Sequence, residues 1–531
     1  MIPSIGTSAF KARALRTFVA LLASTVLCAC GALPRQVERP FVPAVQASAD
    51  SPLVRIAQDS SPDPTLTGFR LMPLGLYSLD ARIQLAHRAR YSLDVQYYLI
   101  QNDRTGRLLM RTLRDAASRG VRVRLLVDDL YTAGADPMFR GLAAFPNVEV
   151  RLFNPFCCAR HSVISKFLAS IGDFRRLNRR MHNKLFIADG AIAVMGGRNI
   201  ADEYFTRSET HNFVDMDVFI VGAVVPQLTG IFDLYWNSPQ AYPVELIVGG
   251  PADREEERRS FAHLVDDGEQ MRSLVLPPID ILGYGPISDD LDAGRLGLVW
   301  GTAAAFADQP AKVTATSAEM ARSMSVQMNV MDRVMASKSE VVLSSPYFVP
   351  GPVGVQDFGD LRERGVKVAI LTNSLAATDE PLVHTGYARY RVALLRAGVD
   401  LHEISPTRIQ QNDRLLLPGK SLGRLHAKTA VIDQTTVYMG SMNLDPRSES
   451  TNTELGLFTY CPELAREVVR VIDISKLKSS YQLRLAPDGH SLEWLATDDR
   501  GDVVFYEEPE VTPFLLFQHI FLGRFVPEQL L

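Results

Sequence analysis

The chain repeats itself once, and this duplication limits its fold more than any other feature. Gly120-Val-Arg-Val-Arg-Leu-Leu-Val-Asp128 returns 245 positions later as Gly365-Val-Lys-Val-Ala-Ile-Leu-Thr-Asn373, and Met181-His-Asn-Lys-Leu-Phe-Ile-Ala-Asp189 returns 244 positions later as Leu425-His-Ala-Lys-Thr-Ala-Val-Ile-Asp433. A looser pair relates Val95-Gln-Tyr-Tyr-Leu-Ile100 to Leu343-Ser-Ser-Pro-Tyr-Phe-Val349. Segments that keep their order and displacement mark a duplicated domain. Arg107–Ser118 has helical periodicity and is stopped by Gly120, and the run Val121–Val127 reads as a strand buried on both faces. Alternating helices and apolar strands give the α/β class, with two duplicated lobes, each a mixed sheet flanked by helices.

The 531 residues then divide into an export signal over 1–29, a flexible tether over 30–65, a first lobe over 66–245, an inter-lobe insertion over 246–310, a second lobe over 311–480 and a C-terminal extension over 481–531. The insertion holds the charged, helix-like Asp253–Glu269. In the signal, Lys11, Arg13 and Arg16 precede the apolar run Phe18–Leu27, which is too short to span a bilayer. The run ends in Leu27-Cys28-Ala29-Cys30-Gly31, which resembles a bacterial lipobox and marks Cys30 for acylation. Acyl chains contribute ~0.8 kcal/mol per buried methylene, so a lipidated Cys30 holds the protein on a membrane of the cell envelope, facing the periplasm. The net charge is -4, and loss of 1–29 removes three positive charges and no acid, leaving -7. An acidic body is a poor footprint for a nucleic-acid binder. Cys157, Cys158 and Cys461 are too few and too scattered for a disulfide framework, although one disulfide is open to them.

Each repeat carries His-x-Lys-x4-Asp, followed by Gly-Gly-Arg-Asn199 or Gly-Ser-Met-Asn443. Residues two apart on a strand share a face, so His182 points with Lys184 and His426 with Lys428. The turn at Asp189-Gly190 returns Asn199 beside the first pair, and the second return brings Ser441 and Asn443. Two imidazoles suit an in-line displacement at a phosphate diester, one as nucleophile and one as acid. Two lysines and two asparagines suit its non-bridging oxygens. No metal or other cofactor is expected, because the residue paired with each histidine is a cation.

Both segments resemble the HKD motifs of the phospholipase D superfamily. The resemblance implies two lobes related by a pseudo-twofold axis, one shared site and a phosphohistidine intermediate. It assigns catalysis to His182, His426, Lys184, Lys428, Asn199 and Asn443. Members also orient each imidazole with an acid, which implies Glu454 for the second half and Asp217 for the first. Asp189 and Asp433 are read as serving hairpin geometry and ion pairing. Leu93-Asp-Val-Gln-Tyr-Tyr98, Gly196-Gly-Arg-Asn199, Val383-His-Thr-Gly-Tyr-Ala-Arg-Tyr-Arg391 and Asn443-Leu-Asp-Pro-Arg-Ser448 are similar to the bacterial cardiolipin synthase C branch over roughly residues 66–531. That branch implies phospholipid substrates and a membrane surface, with phosphatidylglycerol as acceptor, phosphatidylglycerol or phosphatidylethanolamine as donor, and no obligate protein partner. Ser441, Arg198, Arg447 and His384 are the expected substrate contacts. Tyr97, Tyr98 and Tyr347 either line a channel or pack. Arg175, Arg176, Arg179 and Arg180 read either as contacts to anionic head groups or as a solvated helix end. Hydrolysis to phosphatidic acid, cleavage of nucleic acid and a catalytically silent envelope lipoprotein are the competing readings.

Overall fold

The computed structural model describes residues 33–34, 37, 40–169, 173–250, 253–266, 274–412, 417–498 and 501–522. The export signal and Cys30 lie outside them. The first lobe is built on β1 (Thr67–Met72), β2 (Ser92–Tyr97), β3 (Arg122–Asp128), β4 (Val148–Phe153), β5 (Leu185–Ala188), β6 (Ile192–Gly196), β7 (His211–Val214), β8 (Asp217–Gly222) and β9 (Ala241–Pro243). Its sheet runs β9-β4-β3-β2-β5-β6-β8-β1, with β2, β3 and β4 parallel and the remaining neighbours antiparallel. After β10 (Val299–Ala307), the second lobe has β11 (Glu340–Ser344), β12 (Lys367–Asn373), β13 (Asp400–Ile404), β14 (Leu422–Leu425), β15 (Thr429–Ile432), β16 (Thr436–Gly440), β17 (Leu455–Tyr460), β18 (Ser480–Leu485), β19 (Leu492–Asp498) and β20 (Gly501–Phe505). The order β18-β13-β12-β11-β15-β16-β17-β10 repeats that of the first lobe strand for strand.

The helix of the first repeat spans Arg104–Ser118 and is capped by Asp103, whose carboxylate accepts from Gly106 N at 2.8 Å. Gly120 follows it with φ 95°, a backbone that favours glycine. Helices Val225–Trp236 and Pro462–Ser479 follow the equivalent strands β8 and β17, and both bury an apolar face in a core shared by the lobes. Phe69, Leu185 and Trp236 of the first lobe meet Leu425, Val431 and Leu464 of the second in that core. Each lobe has a further core on the outer face of its sheet.

Three expected boundaries move. Residues from 42 onward lie on the first lobe: Val42 N donates to Asn237, Ala44 N to Asp233, and Ser51 caps a helix over Pro52–Ser60. The tether is therefore shorter than 30–65. The end of the expected insertion is β10, whose residues 299–301 pair with β1 and 302–307 with β17. It is the second repeat's counterpart of β1 and joins both sheets into one of 18 strands. At the changeover Gly301 is obligatory, because a Cβ there would meet Tyr460 O at 2.4 Å. The extension begins with β18, which borders β13 as β9 borders β4, so its first strand does have a partner in the first half. Among the described residues no helix is long and apolar enough to cross a membrane.

Candidate active site

The two motifs enter the centre of the molecule by the same route. β3 and β12 end in Asp128 and Asn373, whose side chains accept from Met181 N at 2.8 Å and Leu425 N at 2.9 Å. These fix the residue before each histidine. The next peptide is fixed by the opposite lobe: His182 N donates to Thr453 O and His426 N to Val214 O, both at 2.8 Å. Parallel pairing of Met181 with Thr453 and of β14 with β7 extends these contacts. His182 and Lys184 thus lie on extended chain leading into β5, not within the strand itself, and His426 and Lys428 do the same before β15.

The acids that meet the imidazoles come from across the lobe boundary. Glu454 Oε2 lies 2.9 Å from His182 Nδ1, and Asp215 Oδ2 lies 2.6 Å from His426 Nδ1. Glu454 therefore serves the first motif, and the acid of the other pair is Asp215, not Asp217. Ladder register explains the difference. Gly196 faces Asp217 as Gly440 faces Gly456, so Asp215 and Glu454 are the equivalent positions, two residues before the ladder partner. The Asp217 carboxylate instead accepts from Ser78 Oγ at 2.6 Å and the Arg82 guanidinium at 2.9 Å.

His182, His426, Lys184 and Lys428 are all buried. Each lysine Nζ donates to the carbonyl of its own histidine, at 2.6 Å for Lys184 and 2.7 Å for Lys428. Edge-on rings fix the imidazole planes: Tyr98 stands 5.0 Å from His182, and Tyr204 stands 5.0 Å from His426. Burial and the charges of Lys184 and Lys428 hold His182 well below the usual imidazole range. Burial and Lys428 bring His426 to about 4, against the opposing pull of Asp215. Burial lowers both lysines, Lys428 to about 8. Burial outweighs the pull of Glu454 and Asp215 on these cations, and a phosphate would add the negative charge they still lack.

The two acids differ. Burial would raise Asp215, but His426, Lys428 and Arg198 together bring it to about 2. Burial wins at Glu454, which rises to about 7 against Lys184 and its hydrogen bonds. Ser441 Oγ donates to Glu454 Oε2 at 2.5 Å and Ser448 Oγ to Oε1 at 3.0 Å, so Ser441 acts on the acid. At the equivalent place Gly197 has no room for a side chain, since a Cβ would lie 2.3 Å from the Asp215 carboxylate.

The remaining expected residues divide sharply. Asn199 Nδ2 donates to Tyr204 OH at 2.9 Å, and the side-chain oxygens of Asn199 and Asn443 are buried without a hydrogen-bond partner. Arg198 is not a substrate contact: its guanidinium is buried and donates to the carbonyls of Met72, Pro73, Tyr204 and Asp215. Arg447 donates to Asn178 Oδ1 and Asn178 O, both at 3.1 Å, across the lobe boundary. His384 is in a separate buried cluster, 2.9 Å from the Arg391 guanidinium. Tyr97 packs and binds Arg82, whereas Tyr98 reaches His182 and Tyr347 donates to Asp379 at 2.8 Å. Arg176, Arg179 and Arg180 bind Asn154, Ala315 and Asp128, which leaves Arg175 as the exposed member of that run.

Among the described residues Asp189 and Asp433 form no ion pair. Asp189 accepts from the N–H groups of Arg90, Tyr91 and Ser92, and Asp433 from those of Lys338, Ser339 and Glu340, so each ties its hairpin to the start of β2 or β11. Among the described residues Cys157, Cys158 and Cys461 form no disulfide. Sequence reasoning missed Asp128, Asn373, Tyr204 and Asp215. The first two end both copies of one repeated segment, and that shared position was the signal for them.

A family profile described as "Cardiolipin synthase, PLD-like domain" matches residues 82–236 and 330–474. Cardiolipin synthase C of Escherichia coli (strain K12) is 40% identical over 449 residues, covering 83% of this chain and 91% of that protein. A cardiolipin synthase of Staphylococcus aureus (strain Mu50) is 26% identical over 424 residues, covering 79% and 69%. The crystal structure of phosphatidylserine synthase from Haemophilus influenzae Rd KW20 covers 90% of this chain and 100% of its own at TM-score 0.53 and 14% identity, a likeness of fold. By its two profile matches and its 40% identical relative, the chain belongs to the cardiolipin synthase family of PLD-like enzymes.

Proposed function

We propose that this protein is a phosphatidyltransferase that makes cardiolipin through a phosphohistidine. The observation that carries the reading is the crossed pairing of Glu454 with His182 and of Asp215 with His426, each carboxyl held at the Nδ1 of a histidine from the other lobe. One neutral imidazole attacks the phosphorus of a phosphatidyl donor, phosphatidylglycerol or phosphatidylethanolamine. The P–O bond to the head-group alcohol breaks, and the second imidazole gives that alcohol its proton. The same imidazole then takes the proton of a phosphatidylglycerol hydroxyl, whose oxygen attacks the phosphohistidine, forms the new diester and frees the first histidine. Lys184, Lys428, Asn199 and Asn443 hold the phosphoryl oxygens in this scheme. Export through residues 1–29 and acylation of Cys30 place the enzyme on an envelope membrane facing the periplasm.

The test is incubation of the purified protein with phosphatidylglycerol, with and without phosphatidylethanolamine, and resolution of the lipids by mass. Cardiolipin that disappears in His182→Ala and His426→Ala is the expected result. Phosphatidic acid as the sole product would replace transfer with hydrolysis, and absence of lipid turnover would overturn both. Release of Cys30→Ser from membranes tests the lipid anchor separately.

A further inference from the structure

We propose that the helix Pro513–Leu522 docks on a lipid bilayer and seats against it the side of the molecule on which Asp379 borders the active site. From 511 to 523 the sequence has no Asp, Glu, Lys or Arg. Phe514, Leu516, Phe517 and Phe521 stand 68%, 42%, 62% and 53% exposed, and the rings of Phe517 and Phe521 stack at 5.7 Å on the outer face. Soluble surfaces rarely hold so continuous an apolar patch unless something covers it, and ten residues are too few to cross a bilayer. At ~200 Å² per aromatic side chain, the four exposed side chains of the helix present roughly 450 Å². That is about half of the ~800 Å² per partner that a specific protein interface needs, which favours a lipid surface over a second copy.

The helix is rigidly rooted. Thr512 caps it through Leu515 N at 3.2 Å and Leu516 N at 3.0 Å, and Pro513 opens its first turn. Just upstream, Glu508 accepts from Arg391 at 2.7 and 3.1 Å, and Glu510 accepts from Ser405 Oγ at 2.7 Å. Committing the buried Arg391 to the segment that leads into an apolar outer helix makes sense when the helix's position matters. The helix packs on Pro381–Ala388. That short helix follows Asp379 and Glu380, which border the active site: Asp379 binds Tyr347, and its charge acts on Lys428 and Tyr204. Eight helical residues span ~12 Å, so the patch begins one short helix from the reacting groups.

This proposal rests on the reading of the substrate as a bilayer lipid. Its test uses the full chain carrying Cys30→Ser, so that acylation makes no contribution, floated with vesicles of phosphatidylglycerol and phosphatidylethanolamine. Phe517→Ser with Phe521→Ser is expected to lower the vesicle-bound fraction at least about tenfold, with an unchanged melting temperature. Turnover of vesicle lipid should fall in step, and turnover of dispersed short-chain phosphatidylglycerol should stay the same. Unchanged flotation overturns the proposal, as does a change of oligomeric state with flotation intact, which would assign the patch to a second copy. Phe521→Trp keeps the interfacial aromatic: its fluorescence should shift to the blue on addition of vesicles, and an absent shift counts against docking even if the serine variants misfold. Lack of turnover of either lipid by the unsubstituted chain would refute the transferase reading and leave flotation to decide on docking.

Discussion

The two halves of the active site have one backbone design and two chemistries. In the pocket around His426, Asp215 is short, anionic at about 2, and fills the space against Gly197. Around His182, Glu454 is one methylene longer, raised to about 7, and braced by the hydroxyls of Ser441 and Ser448. A carboxylate fixed as an anion favours the imidazolium beside it, which suits the group that must hold and release a proton. A carboxyl near its own titration point favours a neutral imidazole, which suits attack on phosphorus. Duplication supplied the matching halves, and they differ at positions 197/441 and 215/454.

The largest expected effect treats the halves alike: His182→Ala and His426→Ala should each lower cardiolipin formation by ~10⁴ or more. Trapping with radiolabelled donor followed by a denaturant quench at alkaline pH should then separate them, a phosphohistidine surviving only where the nucleophile remains. Next, Asp215→Asn should cost ~10²–10³ and Glu454→Gln ~10-fold in kcat, since glutamine resembles the protonated acid. Equal losses would erase the asymmetry. Third, Gly197→Ser should cost ~10²-fold by displacing Asp215, while Ser441→Gly should cost less than ~10-fold by removing one donor to Glu454.

The smallest effect is in stability against pH. His426, at about 4 in the folded state, lets the unfolded chain take up its proton first, so stability should fall as pH drops from about 6.5 to about 4. Glu454 has the opposite sign: raised from 4.5 to about 7, it stabilises below about 4.5, and this is lost as pH rises through 7. Asp215, lowered to about 2, stabilises above about 3.8, and this is lost as pH falls through 2. Urea midpoints across pH should therefore lose the decline between about 4.5 and 7 in Glu454→Gln and the decline between about 3.8 and 2 in Asp215→Asn.

Much of this was legible in the sequence because duplication wrote it twice. The α/β lobes follow from repeated segments, and His182, Lys184, His426 and Lys428 from repeated letters. Partners across the lobe boundary were not legible. Glu454 was found as an acid but given to the wrong histidine, because the pairing of Met181 with Thr453 is a tertiary fact with no local signature. Asp217 was chosen over Asp215 because two aspartates two apart cannot be told from each other without the ladder register. Arg198 beside Asn199 looked like a phosphate ligand, yet an arginine with four carbonyls to satisfy is a brace. β10 went unseen because its sequence, Val-Trp-Gly-Thr-Ala-Ala-Ala-Phe-Ala, has little resemblance to β1.

The crossed acids also set how traffic passes through the enzyme. If the lobes swung apart to admit a lipid, both imidazoles would lose their carboxyl partners, and β10 would have to leave one of the two sheets it completes. A clamp held shut by these contacts offers donor and acceptor a single site. Donor and acceptor must take turns there, the first alcohol departing before the second arrives, which gives the parallel reciprocal plots of a double-displacement enzyme.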